Sequence, residues 1–476
     1  MISSAPALAE PTNTGLSLDL SSKNASIAAT SVGKTGVAIN VGGTTGVVGS
    51  GSYSTLTPAE YLAALQVVST GHQTLNLNSS GQAISGTFTL PAASSLASLV
   101  VPTGVTGVYN IASSNQLNVT GNFTNSGSFY VVSSSQGANS AVLNAVNIVN
   151  NQGALLSSVL PAGGLAGFSN LISSLNLTLN AINNISNFGS ITSSGSLNMI
   201  AGNQIINSNV ASAALANISA VNNISMIAPH IDNSGQIVSA LNNIRIQSAN
   251  LVNSGLLDSV KGNISISNLV QKVLDINNVG GLIEAKNTLT ISNRSTSTLS
   301  AINFEGGILE ASKIRFVDRK GSVFVALDDI SNKVAFTAQH VGLDVSNGSG
   351  GLTLTGLNKS ADVSLSFNGS GNVTSTGFNT LGQDVVINTT GAIKLTGNIV
   401  TTPSTAGDAG SVILNAGQSL TTKNISTNGS GDGNGGSITL TAGTTLNAGA
   451  LSASGGISGN PGIITLATKS GNARLV

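Results

Sequence analysis

Asp258, Glu284 and Glu310 recur at intervals of 26 residues, in three segments of one type, GLLDSV (255–260), GLIEAK (281–286) and GILEAS (307–312). If the chain turns once per interval, these carboxylates stack in a column on neighbouring strands, about 5 Å apart at the usual strand spacing. Carboxylates so placed could bind a cation or resemble the acid pair of a retaining glycosidase. Strand alternation sends Leu257, Ile283 and Leu309 inward and the acids outward. Lys261, Lys286 and Lys313 follow them, so the plainer reading is an exposed acidic ladder neutralised by a lysine ladder beside it. The three acids are the ligand or cation candidates. No catalytic residue, metal site or cofactor is assigned.

The remaining chemistry-bearing residues are scattered. Asp328 and Asp329 are adjacent and would face opposite ways in a strand. GDGNGG (431–436) has the glycine-rich look of a calcium-binding nonapeptide, but such repeats need an acid in every turn, and the matching loop GDAG (407–410) offers only Asp408. His72, His230 and His340 lie far apart and in no metal-ligand spacing. Cysteine is absent, which removes disulfides, zinc–thiolate sites and thiol nucleophiles together.

Composition narrows the function classes further. Of the 476 residues, 17 are Lys or Arg and 17 are Asp or Glu, a net charge of zero, and 57 are Gly. From Tyr61 to Ile231 there is no Asp, Glu, Lys or Arg, so that stretch supplies no carboxylate or ammonium for acid–base work and reads as scaffold. Without a basic patch there is no electrostatic grip on a phosphate backbone, which excludes nucleic acid as a partner. No apolar run is long enough for a membrane-spanning helix, and scarce charge with 40% hydrophobic residues excludes a disordered chain.

The elements that would position the acids repeat along the chain. Alternating segments begin their apolar positions at Leu197, Ile224, Ile244, Ile264, Leu289 and Ile314, at intervals of 27, 20, 20, 25 and 25 residues. DVVINTT (384–390), SVILNAG (411–417), SITLTAG (437–443) and GIITLAT (462–468) continue the series at 27, 26 and 25. Between them lies a second family opening on Gly after turn formers such as Asn233-Ser234 and Asn253-Ser254. Two or three short strands returning every 20 to 27 residues describe one coil of a solenoid. The expected fold is all-β, a single-stranded parallel β-helix with a thin aliphatic interior in which bulky aromatics are dispensable.

One helix is expected near the start. Thr57, Pro58 and Glu60 form a capping box with proline at the first helical position, and Tyr61 and Leu65 share a face with Val68. A helix over about 58–68 would cap an open strand edge. The organisation read from the sequence is a tail with first strands at 1–56, a capping helix and first coils at 57–120, and β-helix repeats at 121–476. Ala7-Leu8-Ala9 before Glu10 has the small-residue pattern of a secretory cleavage site, so 1–9 reads as a clipped signal peptide.

The tandem GDAGSVILNAGQSL (407–420) and GNGGSITLTAGTTL (433–446), with NSGQI, NSGLL and GGLIEA upstream, resembles the repeat region of bacterial filamentous-haemagglutinin-like exoproteins. That resemblance implies a long β-helical adhesin, secreted or held at the bacterial cell surface. Expected partners are a host or neighbouring cell surface and extracellular carbohydrate or matrix, with continuation or end-to-end contact at the uncapped C-terminus. The function expected is adhesion by a rigid β-helical rod through multivalent polar ladders. The alternative is a β-helical carbohydrate-active enzyme with its cleft in 258–344.

Overall fold

The computed structural model describes residues 98–476, except 112–114, 135–136, 166–167, 210–214, 270–271, 298, 319–321, 327–340, 347–351 and 356–362, together with seven strands between Ser17 and Leu96. The described residues form strands and turns only, and the expected fold class is observed: parallel strands stack coil upon coil as a β-helix. The chain divides into two compact units, Met1–Ala228 with Ser234–Ala240, and Pro229–Asn233 with Leu241–Val476.

In the first unit three parallel ladders run side by side, one strand of each per coil. One passes through Gln116–Val119, Ser140–Asn150, Asn176–Asn187, Leu197–Ala201 and Ile224–Ile227. The next passes through Leu99–Val101, Asn122–Asn125, the second halves of the two long strands, and Gln204–Asn207. The third contains Val105–Ile111, Ser128–Ser133, Leu155–Ser157, Ser190–Ser193, Asn217–Ala220 and Gln236–Ser239. Because each strand pairs residue for residue with its neighbours, inward positions form columns. Leu117, Leu143, Leu179, Met199 and Met226 make one, all at most 1% exposed. Burying each such side chain contributes roughly 1.5–3 kcal/mol.

The second unit repeats the scheme. Ile246, Ile266, Ile291 and Phe316 stack in register, and Phe367, Ile387, Leu414, Leu440 and Leu466 continue the same kind of column in its later coils. The expected intervals from Ile244 through Ile264 and Leu289 to Ile314 are the pairing register. One interval is corrected: Ile438 pairs with Ile464, 26 residues on, and Ile463 stands outside the strand, 73% exposed. Aromatic side chains nevertheless take part in the interior. Phe123, Phe129, Phe316, Phe367 and Phe378 are fully buried, and edge-to-face pairs join Phe123 to Phe129 at 5.1 Å and Phe304 to Phe316 at 5.4 Å. Aromatic rings from neighbouring ladders meet across the interior.

The expected helix, with Thr57, Pro58, Glu60, Tyr61 and Leu65, lies outside the described residues. What the structure shows at that end is strand pairing: Ala83–Leu90, parallel to Val105–Ile111, takes Thr74–Leu77 on its other edge in antiparallel sense. Further along, Val108, Tyr130 and Val132 face outward yet are buried, because Leu160, Leu165, Phe168 and Leu171 of the segment after Ser157 pack over them. That cover pushes the pKa of the Tyr130 phenol above its ordinary value, by burial.

Candidate functional site

Gly255, Gly281 and Gly307 open the strands that carry the acid column. A Cβ on Gly281 would lie 2.2 Å from the Asn253 carbonyl oxygen, and one on Gly307 2.0 Å from that of Asn278, so only glycine lets successive coils approach there. The strands that follow pair Leu257 with Ile283 and Ile283 with Leu309, all buried. In the same register Asp258 pairs with Glu284 and Glu284 with Glu310. The structure thus brings all three candidate acids into one outward-facing column.

Each acid is half-buried, and the cause is local. Two residues before it, on the same outward face, stands an apolar side chain: Leu256, Leu282 or Ile308, themselves paired in register and half-buried. This aliphatic row excludes water from one flank of the carboxylates. Burial first, and the charge of Glu284 second, push the Asp258 carboxyl up to about 6. The same two causes raise Glu310.

The expected lysine ladder does not form as a register column. A bulge between Ala285 and Thr288 shifts the pairing, so Lys313 lies opposite Thr288 rather than Lys286. Lys261 sits in an exposed turn, where its carbonyl accepts from the Asn287 amide at 3.3 Å. The turns between ladders vary in length from coil to coil, and residues placed in them lose the 26-residue spacing that the strands keep.

Among the described residues no group of three or more His, Asp or Glu is placed to hold a metal ion. The Asp408 carboxylate is occupied with the backbone instead: it accepts from the Asn434 N–H of the next coil at 2.6 Å. Asn434 in turn accepts from the Asn460 N–H at 2.9 Å. The glycine-rich loops are therefore stacking devices, with acid and amide oxygens capping backbone donors one coil on. His230 lies in the strand His230–Asn233, while His72, Asp328, Asp329 and His340 lie outside the described residues.

Polar ladders were expected from the sequence, but not that asparagine would form them inside the coils. Asn125, Asn150, Asn187 and Asn207 stand in line inside the first unit with no exposed surface, each donating to the next at 2.8 Å. Their amides also donate to backbone carbonyls of the coil ahead, as Asn187 does to Asn217 at 3.0 Å. Asn233, Asn253 and Asn278 repeat the arrangement in the second unit, at 2.7 and 2.6 Å. Buried amides must be hydrogen-bonded to be tolerated, and the column satisfies them by its own repetition.

Other columns face outward. Asn180 donates to Asn144 at 3.1 Å and Asn144 to Asn118 at 2.7 Å. Across the corner, Asn203 donates to Asn184 at 2.9 Å, Asn184 to Asn147 at 3.2 Å, and Asn147 to Asn122 at 2.8 Å. A further outward column, Asn415 to Asn388 to Asn368, runs in the second unit at 2.8 and 3.0 Å. The signal was present in the sequence as short segments ending in Asn, such as NFTN, NISN, HIDN and NLVN, each with an apolar residue two places before the asparagine.

Comparison with protein-family models, with curated proteins and with solved structures found no match to this chain.

Proposed function

We propose that this chain is an exported surface or matrix protein, of the filamentous-haemagglutinin-like kind, that attaches to cells or extracellular carbohydrate through many weak polar contacts. The observation that carries this reading is the outward asparagine columns. They present identical amides at a fixed step of about 4.8 Å, coil after coil, and their hydrogen bonds along the column hold the side chains in one conformation. A ligand with repeated hydrogen-bonding groups engages several amides at once, and linked contacts gain strength by avidity without any one being strong. The test is attachment of the purified chain to intact cells and to the same cells stripped of surface glycans. The reading predicts retention on the first and loss on the second; equal retention, or none on either, counts against it.

The rival reading is carbohydrate hydrolysis at Asp258 and Glu284. It is favoured by one observation, the Asp258 carboxyl held protonated up to about 6 beside a second carboxylate on the adjacent strand. An acid–carboxylate pair one strand spacing apart resembles the spacing of retaining glycosidases. Release of reducing sugar from a panel of polysaccharides, abolished in Asp258→Asn and Glu284→Gln, would establish it; no release would remove it.

A further inference from the structure

We infer that the two outward asparagine columns of the first unit form a docking strip for an uncharged β-linked polysaccharide, an assignment that rests on the adhesive reading and narrows it to one ligand class. The columns Asn118–Asn144–Asn180 and Asn122–Asn147–Asn184–Asn203 flank a single corner of the coil. Only residues 119–121, 145–146 and 181–183 separate them in successive coils. All seven side chains are half-buried or exposed, so the strip faces solvent.

Amide chemistry sets the kind of partner. Each ladder bond uses one N–H and one oxygen lone pair, and the primary amide retains a second of each. The strip therefore offers donors and acceptors together, which suits hydroxyl groups, themselves both donor and acceptor. Because the ladder already fixes each rotamer, little side-chain freedom remains to be lost on binding.

Spacing and charge narrow the class. The amides recur at about 4.8 Å, whereas an extended peptide advances about 3.4 Å per residue and falls out of step. A β-1,4-linked hexose chain advances by nearly the strand spacing at each sugar and turns each ring over relative to the last, so alternate sugars present the same hydroxyl edge to alternate coils. Nothing from Tyr61 to Ile231 is Asp, Glu, Lys or Arg. An anionic glycan would find no cation on this strip and a basic partner no carboxylate, which leaves a neutral polymer. The column of the second unit differs: Asn368, Asn388 and Asn415 run with exposed Lys394 on the next strand of the coil.

The experiment is depletion of the full-length chain from solution by microcrystalline cellulose and by chitin, with heparin–agarose as the anionic comparison. Wild type is expected on at least one neutral polymer, with retention unchanged up to about 1 M salt, where charge contacts are screened within about 3 Å. Asn144→Ala, Asn147→Ala, Asn180→Ala and Asn184→Ala combined should lower retention about tenfold through lost multivalency. Thr421→Ala, at an exposed strand position of the second unit outside the asparagine columns, should leave it unchanged. Should the fourfold variant fail to fold, Asn144→Ser and Asn184→Ser, singly and together, should give a graded loss with an unchanged circular-dichroism spectrum. No retention on either neutral polymer, salt-sensitive retention, or full retention by the strip variants overturns the assignment. Glycan-dependent attachment to cells without retention on neutral polymers would sink the strip while leaving the adhesive reading in place.

Discussion

The side-chain amide of Asn150 donates to the oxygen of Asn187 at 2.8 Å, 37 residues away in sequence and one coil away in space, with neither residue exposed. This contact is one rung of a buried polar column that ties four successive coils of the first unit together. The column has a directional consequence. In the interior the amides donate toward the C-terminal coils, while the outward columns donate toward the N-terminal ones.

Removing a rung should cost far more inside than outside. Asn187→Ala removes both bonds that Asn187 makes along the column, from the Asn150 amide and to the Asn207 oxygen, in a dry interior, an expected loss of about 2–5 kcal/mol. Asn180→Ala breaks an equivalent bond on the exposed face, where water replaces it, and should cost less than about 0.5 kcal/mol. Urea midpoints of the two variants measure the difference. Equal losses would show that the interior column does not hold the coils.

The acid column gives stability a pH dependence of unusual sign. Asp258 binds its proton more tightly folded than unfolded, with the folded value near 6 against an ordinary 3.8, and Glu310 is shifted the same way. Between those values the folded state holds more protons than the unfolded, so stability is greatest below the ordinary carboxylate range and falls as pH rises through about 6. The melting temperature should therefore drop between pH 4 and 7 by more in wild type than in Asp258→Asn. A slope identical in the two proteins, or a rise, contradicts the geometry described for Asp258 and Glu284.

Gly280 and Gly307 separate two reasons for glycine. Both have positive φ, 77° and 72°, but a Cβ on Gly280 meets nothing within 4 Å. On Gly307 it would fall 2.2 Å from the Asn278 side-chain nitrogen as well as on the backbone. Gly280→Ala should cost only the left-handed backbone strain, about 1–2 kcal/mol. Gly307→Ala should cost clearly more, because the buried asparagine column must shift. Thermal melts of the two variants decide it.

The parts of this fold that were legible are those where the physics repeats. Leu257, Ile283 and Leu309 alternate with Asp258, Glu284 and Glu310, and a fixed spacing translates directly into stacking. The second ladder was harder to see, because strands such as His230–Asn233 and Asn250–Asn253 are four residues long and carry too few apolar residues to show a period. Asn233 and Asn253 read as turn formers, yet their side chains are buried. An asparagine satisfied by a neighbour 20 residues away cannot be told from one satisfied by its own turn until the coils are stacked. Ile463 and Ile464 are both apolar, so only pairing with Ile438 decides which lies in the column. The lysine ladder failed for the opposite reason: spacing was read across turns, where a bulge intervenes.

The β-helix requires successive coils to lie in register, and the absence of cysteine makes that directly measurable. Asp258→Cys, Glu284→Cys and Glu310→Cys, made singly and together and labelled with nitroxides, place spin labels at the three stacked positions and nowhere else. Labels one strand spacing apart, about 4.8 Å, interact strongly. The account predicts that the triple-labelled chain gives a broadened, exchange-coupled electron paramagnetic resonance spectrum that sharpens on unfolding in urea. A triple-label spectrum equal to the sum of the three single-label spectra would contradict it.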